Sequence, residues 1–124
     1  LEKVQLQLIK KLKLEKMAKY IIRKALNGQY WWVLKAPNGE TLLTSETYTT
    51  KQNCHSGIVS SKASLADSNF RRLLSIRNEP YFTQNSNNYQ VLGTSEMYSS
   101  TYARDSGIVS VKRYAQNAII EDLT

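Results

Sequence analysis

Glu46 and Glu96 are the acids best placed to do chemistry in this chain of 124 residues. Each sits in a Thr-Ser-Glu-x-Tyr stretch, and the two stretches lie 50 positions apart. A symmetric pair of carboxylates could exchange a proton with a substrate or hold a cation. The local alternative is that each carboxylate, standing just before a helix, accepts backbone N–H bonds and complements the positive helix end. Tyr48 and Tyr98 each follow the acid by two positions. Their rings either touch a ligand or pack over the helix start with the hydroxyl hydrogen-bonded. The other reactive residues make a poor site. Cys54 and His55 are neighbours in sequence, but on a helix they point about 100° apart. Their counterparts 50 positions on are Arg104 and Asp105, so the chemistry is not repeated. A Cys–His nucleophile is disfavoured on that ground, and one cysteine with one histidine cannot supply the usual zinc ligands. No phosphate-binding loop or serine-nucleophile elbow occurs. The expectation is a protein without catalytic residues, metal or cofactor.

The elements that position these residues come in two copies. Thr44-Ser45-Glu46-Thr47-Tyr48 leads to Ser56-Gly57-Ile58-Val59-Ser60 and Lys62; Thr94-Ser95-Glu96-Met97-Tyr98 leads to Ser106-Gly107-Ile108-Val109-Ser110 and Lys112. The constant offset marks a duplicated unit, with Ser45, Ser95, Gly57, Gly107, Ile58 and Ile108 as its structural signature. Each unit reads strand, strand, strand, helix, strand. Asn27-Gly28 and Pro37-Asn38-Gly39 mark turns in the first copy. Tyr89 stands where the first copy has Gly39, so Asn88 is expected to take the left-handed conformation there. Thr49 or Thr50 caps the first helix, Thr49 with Gln52 having capping-box spacing. Ser99 or Ser100 caps the second. Cys54, Gly57, Ile58 and Ser61 share one helical face, as do Arg104, Gly107, Ile108 and Val111. A glycine inside each helix implies a helix backbone lying close against the sheet. Phe70 to Ile76 can close the first repeat and open the second, and Ala118 to Leu123 forms the last strand.

One helix on a few strands buries too little apolar surface to offset chain entropy. The expected fold is therefore α+β: tandem β3-α-β repeats forming one antiparallel sheet, with two helices on one face and a pseudo-twofold axis. Residues 17–124 form a single domain of two repeats, 17–68 and 69–124. Trp32/Phe82, Leu42/Leu92, Ile58/Ile108 and Val59/Val109 are the matched core candidates. Residues 1–16 match nothing later and are set apart as an N-terminal extension, either foreign to the domain or upstream of it. Val4, Leu8 and Leu12 fall on one helical face, with Leu1 and Ile9 beside them. Val4, Leu6 and Leu8 also alternate like a strand.

The net charge is +7. The extension holds five lysines against two glutamates, leaving a mildly basic domain whose charge reads as a solvated surface. No apolar run approaches the ~20 residues that span a bilayer. The single cysteine fits a reducing compartment, so a cytoplasmic location is expected. Trp31 and Trp32 point to opposite faces of their strand. Trp31 and Val33, with Tyr81, would line a face that the helices leave open. Such a face is a docking surface for a protein partner or a second copy. Glu46, Tyr48, Glu96 and Tyr98 belong to the same set of candidate binding residues. Nucleic acid, stacked on sheet aromatics beside basic side chains, is the alternative partner.

The pattern Asn-Gly, Thr-Ser-Glu, Tyr, then a helix with Ser-Gly-Ile, resembles the YegP-like bacterial proteins, which are built from a repeated domain of unknown function. Asn38-Gly39, Thr44-Ser45-Glu46, Tyr48 and Gly57-Ile58 carry the resemblance in the first copy. Asn88, Thr94-Ser95-Glu96, Tyr98 and Gly107-Ile108 carry it in the second. It extends from Met17 to Thr124. The resemblance implies a β3-α-β unit used twice in one sheet, with the last strand of each unit exchanged to the other. It implies no established activity. Tyr89 in place of the turn glycine and Asn85-Ser86-Asn87 depart from the family pattern.

Overall fold

A computed structural model describes residues 2–124. Leu1, placed beside the apolar face of the extension, lies outside the described residues. The extension is helical rather than extended: α1 spans Glu2–Glu15 and buries none of its side chains. The first repeat then runs β1 (Lys19–Lys24), β2 (Tyr30–Lys35), β3 (Thr41–Ser45) and α2 (Lys51–Ala63). A short 3-10 turn, Asp67–Asn69, leads into β4 (Phe70–Leu74). After it come β5 (Pro80–Asn85), β6 (Val91–Thr94), α3 (Thr101–Tyr114) and β7 (Ile119–Asp122).

The seven strands form one sheet in the order β4-β5-β6-β3-β2-β1-β7. At its centre the third strands of the two repeats pair antiparallel, Thr44 opposite Thr94 and Ser45 opposite Gly93. The pseudo-twofold relation passes between them. β4 crosses from α2 to the far half and pairs with β5, and β7 returns to the first half beside β1. Both last strands are thus exchanged. β4 doubles as the opening strand of the second half. All pairings are antiparallel except β1 with β7, which is parallel.

Four hairpin turns share one hydrogen-bond frame. In the first, Gly28 N–H donates to Ala25 O (2.9 Å) and Ala25 N–H to Gln29 O (2.7 Å). The same frame recurs at Ala36–Glu40, Ser75–Glu79 and Ser86–Gln90. Each has its left-handed residue in the fourth place: Gly28, Gly39, Asn78 and Tyr89, with φ of 83°, 85°, 60° and 68°. This is a type I turn followed by a bulge residue. It overturns the expectation that Asn88 spares Tyr89. The frame dictates which position turns left-handed, and the Asn88 side chain is instead bonded to Ser86 Oγ.

The helices start at Thr50 and Ser100, whose hydroxyls accept N–H bonds from Asn53 and Ala103, both at 3.0 Å. Thr49 and Ser99 play no such part, so the Thr49–Gln52 box does not form. Each helix buries the face expected: Cys54, Gly57, Ile58 and Ser61 on α2, and Arg104, Gly107, Ile108 and Val111 on α3. Val59 and Val109 are not core residues. They stand 64% and 61% exposed, because a step of one residue turns ~100° away from the buried stripe. The core beneath the helices holds Tyr20, Ile22, Trp32, Leu34, Leu42, Leu43 and Phe82, with Leu92 buried at its margin.

Candidate docking surface

The repeated Thr-Ser-Glu-x-Tyr stretch is built to finish a strand and lock a helix. Ser45 Oγ accepts the Trp32 N–H at 2.8 Å and donates to Glu46 O at 2.7 Å. Ser95 Oγ does the same with the Phe82 N–H (2.9 Å) and Glu96 O (2.8 Å). A serine hydroxyl thus replaces a backbone group where each ladder ends. Two residues later the tyrosine backbone rejoins the sheet. Tyr48 N–H donates to Tyr30 O (2.6 Å), and Tyr48 O accepts the Tyr30 N–H (2.8 Å). Tyr98 N–H donates to Pro80 O (2.8 Å), where proline has no N–H to return.

Both tyrosine rings then lie against the glycine of the following helix. A Cβ on Gly57 would stand 2.7 Å from Tyr48 Cζ and 3.2 Å from Trp32 Nε1. On Gly107 it would stand 2.8 Å from Tyr98 Cζ and 3.1 Å from Phe82 Cε1. The helix backbone therefore meets a tyrosine ring first, where the sheet itself was expected. Burial raises both phenols above their ordinary range. For Tyr48 the nearby Trp32 indole N–H opposes that rise, although it falls short of a full hydrogen bond. Tyr98 has Phe82 in the tryptophan's place, and its buried hydroxyl has no hydrogen-bond partner among the described residues.

Glu46 and Glu96 are exposed and leave the central strand pair in opposite directions. Neither carboxylate caps a helix; the hydroxyls of Thr50 and Ser100 take the N–H groups that the acids were expected to accept. Cys54 is buried, and burial pushes its thiol up to about 11, with the Asp122 charge adding to the rise. That is the environment of an inert core thiol. Among the described residues no group of three or more His, Cys, Asp or Glu is arranged to hold a metal ion. No described helix is long and apolar enough to cross a membrane.

The strand register assigns the opposite face. Ile21 faces Val33, Arg23 faces Trp31, and Lys19 faces Lys35 across β1 and β2. Leu73 faces Tyr81 and Arg71 faces Thr83 across β4 and β5. Trp31, Val33 and Tyr81 therefore share the face that neither α2 nor α3 covers. Ile21 and Val33 are nevertheless buried, and Trp31 and Tyr81 are half-buried among their neighbours. Instead of a bare aromatic patch, the face presents apolar residues flanked by Lys19, Arg23 and Lys35. A hollow of about 350 Å³ opens there, with Lys19, Ile21, Arg23, Lys35 and Glu121 in its lining. Trp31 and Val33 meet in one surface, while Glu46, Tyr48, Glu96 and Tyr98 do not join it. The cations around it were missed in the sequence because each is an ordinary surface residue until the register aligns them.

A family model described as a domain of unknown function, DUF1508, matches the chain twice, at residues 25–69 and 77–122. A UPF0339 protein of Acinetobacter baylyi is 46% identical over 85% of this chain and 96% of its own length. The UPF0339 protein YegP of Yersinia pestis is 44% identical over 85% of this chain and 95% of its own. The solution NMR structure of a UPF0339 protein from Shewanella oneidensis superposes with a TM-score of 0.82 at 42% identity, covering 86% of this chain and 92% of that one. The solution NMR structure of yegP from E. coli, a protein of unknown function, gives 0.82 at 33% identity, covering 87% and 94%.

Proposed function

This chain belongs to the DUF1508 family of UPF0339 proteins, and from that premise we propose that it is a non-enzymatic binding module that docks an acidic protein surface on its uncovered sheet face. The observation that carries the reading is the one-sided cover of the sheet. α2 and α3 seal one face, and Lys19, Arg23 and Lys35 flank Ile21, Val33 and Trp31 on the other, Lys19 paired with Glu121 at 3.3 Å. The repeated signature residues are occupied in holding the frame: the serines end ladders, the tyrosines fill the space left by the glycines. A second copy docked face to face would oppose like charges, so the occupant is a different protein. Half-buried Trp31 and Tyr81 offer little free ring for stacking bases.

The test compares partners recovered by crosslinking in cells from the wild type and from the Arg23→Glu/Lys35→Glu double variant, both confirmed folded by their melts. Partners held by the wild type and lost by the variant support the reading. Equal retention, or salt-sensitive binding of single-stranded RNA by the wild type, overturns it.

A further inference from the structure

The two halves of the sheet are finished differently at their outer margins. β7 covers the outer side of β1: Ile119 N–H donates to Ala18 O and Leu123 N–H to Ile22 O, both at 3.0 Å. β4 holds the corresponding place in the second half, and among the described residues no strand lies beyond it. Phe82 and Pro80 give their carbonyls to Ser95 and Tyr98 on the β6 side. Tyr81 and Thr83 therefore turn theirs toward β4, to Leu73 and Arg71. By the same alternation Arg72 and Leu74 direct their backbone groups outward.

The side chains along this margin fit a defined occupant. In the first half the parallel register sets Glu121 beside Ile21 and Asp122 beside Ile22. Carried over by the repeat offset, the same register places those two acidic positions beside Arg71 and Arg72. Arg71 is exposed and has no ion pair among the described residues. Arg72 bonds Asp105 at 3.2 Å and Asp67 at 3.3 Å, yet its side chain stays 39% exposed. Antiparallel pairing of β4 with β4 of a second copy would bring like-charged arginines together. A second copy lending its β7 would uncover its own β1.

The geometry points to the outer edge of β4 as the site for one extended segment of another protein, added in parallel and reading apolar-apolar-acidic-acidic, as Ile119-Ile120-Glu121-Asp122 does on β1. In strand addition the backbone bonds supply affinity and the alternate side chains supply choice. Arginines on a short edge strand also guard against aggregation, a role that needs no acidic partner, and the experiment separates the two.

A labelled peptide with the sequence of residues 117–124, and a second with its glutamate and aspartate replaced by lysine, are titrated into the full chain. Fluorescence anisotropy gives affinity and backbone amide NMR gives location. Expected are saturable binding of the acidic peptide, shifts centred on residues 70–74, and a loss of about tenfold in Arg71→Glu. Absence of saturable binding to the folded chain, equal affinity for the lysine peptide, or shifts centred on β1 where the peptide replaces β7 would each overturn the inference. Arg23→Glu/Lys35→Glu leaves the peptide affinity unchanged, so this reading and the sheet-face reading fail separately.

Discussion

Tyr48 fills the place that a side chain at position 57 would need: the Cζ of its ring lies 2.7 Å from where a Gly57 Cβ would be. Tyr98 and Gly107 repeat the relation at 2.8 Å. Each helix is thus registered on its sheet by a ring that tolerates no methyl group. Gly57→Ala and Gly107→Ala gain helix propensity of about 1 kcal/mol but overfill the contact by about 1–3 kcal/mol or more. Net destabilisation is expected in urea melts of both. Adding Tyr48→Ala to Gly57→Ala should lose less stability than the two single changes together.

The two tyrosines differ in one partner. The Trp32 indole N–H approaches the Tyr48 oxygen, whereas Phe82 leaves the buried Tyr98 oxygen unmatched. Tyr98→Phe is therefore expected to leave the melt unchanged or raise stability by about 1 kcal/mol, since it removes a desolvated hydroxyl. Tyr48→Phe should lower stability by about 0.5–1 kcal/mol. Thermal melts of the two variants under one buffer give the comparison.

A second asymmetry lies deeper. Tyr20 Oη and Ser61 Oγ are 2.8 Å apart, and Ser61 Oγ donates to Gln84 Oε1 at 2.6 Å. Gln84 Nε2 donates to Ser61 O (2.9 Å) and Ser64 O (2.8 Å). The counterparts under the repeat are Phe70, Val111 and Leu34, all apolar. Gln84→Leu alone takes the donor from Ser64 O and one partner each from Ser61 O and Ser61 Oγ, and should cost about 1–3 kcal/mol. The triple change Tyr20→Phe/Ser61→Val/Gln84→Leu, which copies the apolar set, should recover part of that loss in denaturant melts.

Alkali should weaken the fold through two buried acids. Burial raises the Tyr20 phenol to about 12, against the opposing bond from Ser61, and raises the Cys54 thiol to about 11. Both folded values exceed the ordinary 10.0 and 9.0. The stability they contribute is whole below the ordinary values and is lost as pH rises through the folded ones, because the unfolded chain releases these protons first. The urea midpoint should hold steady up to about pH 9 and fall between about 9 and 12. Cys54→Ala should flatten the lower part of that fall.

Much of the fold was legible because the duplication states it twice. The buried faces of α2 and α3, the matched Trp32 and Phe82, and the serine-tyrosine signature all follow from the offset and the helical period. Val59 and Val109 show where the offset misleads: repetition marks a residue as matched, and only the helix phase tells whether it is inside. The glycines announced a close approach, but the ring that meets each lies nine positions earlier, beyond reach of a periodicity argument. Tyr89 escapes a reading by residue type because the hairpin frame fixes all four positions together. Of the docking face, alternation revealed Trp31 and Val33. The cations at Lys19, Arg23 and Lys35 emerge only from cross-strand register. Nothing in residue type sets Arg71 and Arg72 at a margin; their place there follows from the strand order.

The parallel pairing of β1 with β7 joins the opening strand of the first repeat to the closing strand of the second. Until residues 119–122 have emerged, the outward side of β1 has nothing to hold, and Lys62 lacks the Ala118 carbonyl that it grips at 2.6 Å. Closure of the sheet must therefore wait until β7 has been made. A nascent chain halted after α3 would end its sheet at β4 and β1, leaving the outward side of β1 open to chaperones, where the completed sheet ends at β4 and β7.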